Sequence, residues 1–146
     1  MTIKTAKIAL TALWGVSAIP LLLVLVLRQL NGFYGDQAQA AWSWAAQFVF
    51  PNLTLIGGAW SVAATPDDDK PLGSAIVFWG AMIVSASYIV VLYIVLGAQA
   101  SGPVRAGLEQ SGLFLGLIQA LVVGWMGKIL HRSQALSGRL ISLDRK

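Results

Sequence analysis

Cysteine is absent from all 146 residues, and histidine occurs once, at His131. The first absence excludes disulfides, thiol catalysis and cysteine-ligated metals or clusters. The second excludes haem held between two histidines of one chain. Charge is scarce too. Only 11% of residues are Lys, Arg, Asp or Glu, against about 25% in a soluble domain. There is no nucleophile–base pair, no Gly-rich phosphate loop and no cluster with metal-ligand spacing. Neither an enzymatic activity nor a cofactor, a metal or a nucleic-acid partner is therefore expected. Asp67-Asp68-Asp69 has oxygens that suit a divalent cation, but a solvated turn with an aspartate capping the next helix accounts for it.

The chain is rich in apolar residues, at 57%. Four windows carry no charge: Ile8 to Leu27, Gln37 to Pro66, Pro71 to Val104 and Gln110 to Gly127. A helix needs about 20 mostly apolar residues to cross a bilayer, and each window is close to that length or longer. The apolar runs are continuous rather than alternating, so helices are expected and not barrel strands. The predicted spans are 8–28, 40–63, 74–97 and 110–130. Together they form an all-α, up-down four-helix transmembrane bundle over residues 1–130. Residues 131–146 form a basic tail. Turn residues join the spans: Asn31-Gly32 and Gly35-Asp36, then Thr65-Pro66 with Pro71, then Ser101-Gly102-Pro103. The first span resembles a signal peptide in its flanking Lys4 and Lys7, but its apolar run exceeds the usual h-region. It is read as a retained helix.

Orientation follows from Lys and Arg, which concentrate on the cytoplasmic side. With both termini cytoplasmic, Lys4, Lys7, Lys70, Lys128, Arg132, Arg139, Arg145 and Lys146 are inside, and only Arg28 and Arg105 are outside. Tryptophan favours the membrane interface. Trp42 and Trp44 are expected near the outer surface. Trp60, Trp79, Trp125 and, more loosely, Trp14 are expected towards the inner one. The basic interior and short loops fit a bacterial inner membrane. In the tail, Leu136, Leu140 and Leu143 share one helical stripe with Ile129. Lys128, Arg132 and Arg139 lie on another, a pattern suited to contact with anionic lipid headgroups.

Two internal features bear on function. In the fourth span Gly112, Gly116, Ala120 and Gly124 recur every fourth residue, and Gly127 continues roughly the same face. Helices in lipid gain little from the hydrophobic effect on meeting, so small residues that admit a second backbone are the usual substitute. The groove they form receives either another helix of this chain or a helix of a neighbouring subunit. In the second span Pro51-Asn52 lies near the middle. Proline removes a backbone donor and kinks a helix. With Gln47, Thr54 and Ser61 on one stripe, and Gln119 from the fourth span, this region could line a polar lumen or bind a solute. The plainer reading, preferred here, is a tolerated kink whose polar groups bond neighbouring helices.

Arg28 and Lys128 lie at span ends, so by these spans no ionisable residue is expected inside the bilayer, whereas proton relays and many ion-coupled carriers need one. What remains is a non-enzymatic membrane subunit. It would dock through the groove onto itself or a larger membrane complex. A homo-oligomeric pore with a neutral polar lumen is the alternative, and a carrier for a neutral small solute stands behind it.

Overall fold

The computed structural model describes residues 2–61, 71–72, 74–99 and 104–130. Among them the regular structure is helical, with no strand. Five helices form: α1 (Ile3–Leu30), α2 (Ala38–Phe48), α3 (Phe50–Ser61), α4 (Ala75–Ala98) and α5 (Val104–Leu130). Thr2 starts α1, its hydroxyl accepting from the Thr5 N–H at 3.2 Å, which satisfies one of the orphan donors of the first turn. Gly32 and Gly35 turn the chain after α1 with φ of 70° and 50°, the left-handed region that a side chain disfavours. These are the glycines of the predicted first turn.

Three of the four expected spans are single helices. α1, α4 and the Gly107–Gly127 stretch of α5 are each long and apolar enough to cross a membrane. The second expected span is two helices that break at Val49, and its physical cause is Pro51, two residues on. α5 begins six residues earlier than the predicted 110. The charge on Glu109 set the predicted start, yet the N-terminal part of a helix can carry a charged side chain where it reaches an exposed surface. Glu109 is exposed.

Contacts between named residues set the topology. Thr2 pairs with Pro71 in an isolated antiparallel bridge, and Arg28 donates to the Leu96 carbonyl at 2.7 Å. The starts of α1 and α4 therefore lie at one end of the bundle and their ends at the other. α2 and α5 run the opposite way. Trp44 donates to Ser111 and Gln119 to the Gln47 carbonyl, while Trp125 meets Gly80 and Tyr88 donates to Gln119. The order is up, down, up, down, as expected from short connections.

Each helix buries one stripe. On α1 it is Ile3, Ala6, Lys7, Leu10, Trp14, Ala18, Leu21 and Leu25, spaced three and four apart as a helix face requires. The outward faces are apolar as well. Ile19, Ile76, Leu113 and Leu117 are between 61% and 83% exposed. A helix that is apolar on every side belongs in a core or in lipid, and these four side chains are not in the core.

Two of the tryptophans expected near the membrane surfaces face the bundle interior. Trp14 is 1% exposed and Trp44 3%. Both fall on the buried stripe of their helix. Trp60 and Trp79 are exposed.

Candidate functional site

The small residues of the fourth span lie on α5. The buried stripe of that helix is Leu108, Ser111, Leu115, Val122, Met126 and Ile129, next to the small residues and not among them. Gly116, Ala120 and Gly124 are exposed, while Gly112 and Gly127 are half-buried. A Cβ added at Gly116, Gly124 or Gly127 would meet nothing within 4 Å, and one at Gly112 would reach only Phe48, at an ordinary 3.8 Å. No helix among the described residues uses this groove. Large side chains flank it: Leu113, Leu117 and Leu121 are all exposed.

The close helix approach inside the bundle occurs elsewhere. A Cβ on Gly80 of α4 would fall 2.5 Å from Cζ3 of Trp125 on α5. The indole lies flat over the bare backbone of Gly80. This glycine was not singled out from the sequence, where nothing distinguishes it from the other glycines of the spans. The available signal was an opposing large aromatic, and that requires knowing which helices touch.

The kink carries the polar groups of the second span. An uninterrupted helix would bond the Gln47 carbonyl to the N–H of residue 51, which proline lacks. Gln119 supplies the missing donor, its Nε2 reaching the Gln47 carbonyl at 3.2 Å. The next carbonyl, Phe48, accepts from Asn52 Nδ2 at 3.2 Å and from the Tyr88 hydroxyl at 3.0 Å. Tyr88 also lies 3.5 Å from Gln119 Oε1. Asn52, Gln119 and the Gln47 backbone thus meet around Tyr88, a residue the sequence did not point to. Thr54 is not part of this group. It is exposed and donates to the Phe50 carbonyl of its own helix at 2.8 Å. The side chain of Gln47 is exposed too. The described members of the predicted stripe, Gln47 and Thr54, therefore face the outer surface, while Asn52 takes the bundle interior.

Beside the kink, α2 and α5 enclose an open groove of about 490 Å³. Ser43, Gln47 and Glu109 provide its polar lining, Trp44 and Phe48 its aromatic wall, and Gly112 part of its floor. Trp44 is held by its bond to Ser111 Oγ at 3.1 Å, and Ser111 donates in turn to the Leu108 carbonyl. The groove therefore adjoins the first of the small residues of α5.

A second polar cluster closes the opposite end of the bundle from Thr2. Arg28 lies 5.0 Å over the Phe33 ring while binding the Leu96 carbonyl, and the Tyr34 hydroxyl reaches Gln99 Oε1 at 3.3 Å. Burial pushes the Tyr34 phenol above its ordinary value, and the Arg28 guanidinium opposes that in part.

The side chains of Ser61 and Lys128, the whole tail with Arg132 and Arg139, His131 and the three aspartates lie outside the described residues. The chain matches no family model, no curated protein and no solved structure.

Proposed function

We propose that this chain is a non-enzymatic membrane subunit that associates through the Gly112–Gly124 face of α5. Its partner is a membrane helix of a second copy or of a larger complex. One observation carries the reading: Gly116, Ala120 and Gly124 remain exposed after the bundle has formed, and no side chain comes within 4 Å of the space a Cβ would take at Gly116 or Gly124. A backbone-deep groove between Leu113, Leu117 and Leu121 is the geometry that small-xxx-small helix pairs use. In this reading the membrane is a bacterial inner membrane, both termini face the cytoplasm, and the basic tail with Lys128, Arg132 and Arg139 contacts lipid headgroups.

The test is Gly116→Leu. The added side chain enters open space, and leucine is a better helix former than glycine. The bundle is expected to keep its helicity and thermal stability while the particle isolated in nanodiscs drops to the mass of a single chain. An unchanged particle mass, with the fold intact, would sink the reading.

A pore built from several copies is the second reading, favoured by the polar groove of Ser43, Gln47 and Glu109 beside Gly112. Copies meeting along α5 would bring these grooves next to the interface. Vesicles holding the protein should then leak small neutral solutes, and Gln47→Leu should reduce the leak several-fold. Tight vesicles around an assembled oligomer would leave the subunit reading alone.

A further inference from the structure

Three polar side-chain atoms near the middle of the bundle have no protein partner: Trp14 Nε1, Asn52 Oδ1 and Ser85 Oγ. Their residues are 1%, 0% and 0% exposed. They belong to α1, α3 and α4; contacts tie Trp14 and Asn52 to Tyr88, and Ser85 lies one turn before it on α4. The Trp14 and Tyr88 rings lie 6.0 Å apart. Asn52 shares the Phe48 carbonyl with the Tyr88 hydroxyl. Ser85 precedes Tyr88 by one turn on the same buried stripe. The Phe48 carbonyl also sets the sense of the Asn52 amide, because only Nδ2 can donate to it. Oδ1 is thereby directed elsewhere.

Polar groups left unmatched in an apolar interior are costly, and more so in a chain surrounded by lipid. These three are complementary in kind. The indole can only donate, the amide oxygen can only accept, and the hydroxyl does either. We propose that they bind one internal water. The water accepts from Trp14 Nε1–H and donates to Asn52 Oδ1 and Ser85 Oγ. That makes three hydrogen bonds, the usual number for a buried water. An N–H directed at the site disfavours a cation, and the amide oxygen disfavours an anion. A neutral molecule that both donates and accepts is what fits. The water links α1 and α4 to α3 at the residue that follows Pro51, and the proposal does not depend on association through α5.

The experiment uses the full chain with ¹⁵N-indole tryptophan in nanodiscs of phosphatidylethanolamine and phosphatidylglycerol. The readout is magnetisation transfer between water and each indole N–H, with Trp14 assigned by the loss of its signal in Trp14→Phe. A transfer of dipolar sign is expected at Trp14. It should vanish in Asn52→Leu/Ser85→Ala, while the Trp44 indole, bonded to Ser111, keeps its shift and reports an intact fold. No transfer at Trp14 in the unaltered protein would overturn the proposal. So would transfer of exchange sign, which signals access by bulk water, or a dipolar signal that persists in the double variant. The unaltered protein decides the question even if the double variant does not fold.

Discussion

Gly80 and Trp125 show how one missing side chain shapes the bundle. The indole occupies the space of a Cβ, so Gly80→Ala must displace either the ring or the helix. Overpacking of this kind costs about 1–3 kcal/mol, set against a helix-propensity gain of about 1 kcal/mol from replacing glycine. A net loss of thermal stability is expected, and Trp125→Leu in the same chain should reverse most of it. A melting temperature for Gly80→Ala at or above that of the parent protein would show that the ring moves freely. Tyr34 gives a pH-dependent counterpart outside the apolar spans. Its folded pKa is raised by burial, so folding favours the protonated phenol. That contribution is complete below the unfolded value near 10 and is lost as pH rises through the higher folded value. Alkaline melting curves should therefore fall less steeply above about pH 10 in Tyr34→Phe. Equal slopes in the two proteins would remove Tyr34 from the account.

At the level of the helix, the break between α2 and α3 is a repaired defect. Pro51 frees the Gln47 carbonyl and Gln119 reaches across from α5 to bond it. Beside Pro20 in α1 the Tyr93 hydroxyl donates to the Ser17 carbonyl at 2.7 Å, three residues before the proline, as Tyr88 does to Phe48; the carbonyl that Pro20 itself frees is that of Val16. Interhelical hydrogen bonds in membranes average about 0.6 kcal/mol, and the Gln47 carbonyl, exposed on the bundle surface, costs more than that if it is left without a donor in lipid. Gln119→Leu should therefore cost about 1–2 kcal/mol of stability. The loss should shrink when Pro51→Ala restores the local donor. The non-additivity of the two substitutions is the measurement, and strictly additive effects would mean that Gln119 does not serve the kink. Proline 51 and the polar residues around it were legible in the sequence as a kink with donors nearby. Which carbonyl Gln119 would reach, and that Tyr88 would bond the next one, were not. Both depend on the register of α5 and α4 against α2, and nothing local in the chain sets that register.

For the molecule as a whole, the absence of cysteine makes orientation directly measurable. Asp36→Cys, in the exposed turn after α1, would be the sole thiol. In intact bacterial cells it should react with a membrane-impermeant reagent. Protection there, with labelling only after the membrane is opened, would reverse the assignment drawn from Lys and Arg. The association proposed through α5 belongs to this scale too, since the exposed glycines have meaning only once the rest of the bundle is in place.

The sequence by itself determined the class and the plan: helices, with their approximate ends and alternating direction. The reason is that charge and turn residues are excluded from long apolar windows, and this is visible residue by residue. It did not determine which face of each helix turns inward. In a soluble bundle polar residues mark the outside, but here Ile19, Ile76 and Leu117 are as apolar as the core, and periodicity cannot separate the two. Only the tertiary structure decided that Trp14 and Trp44 face in, that Gly80 is where two helices meet closely, and that Gly116, Ala120 and Gly124 face out. These are outcomes of packing shape, fixed by which side chain fills which space between helices.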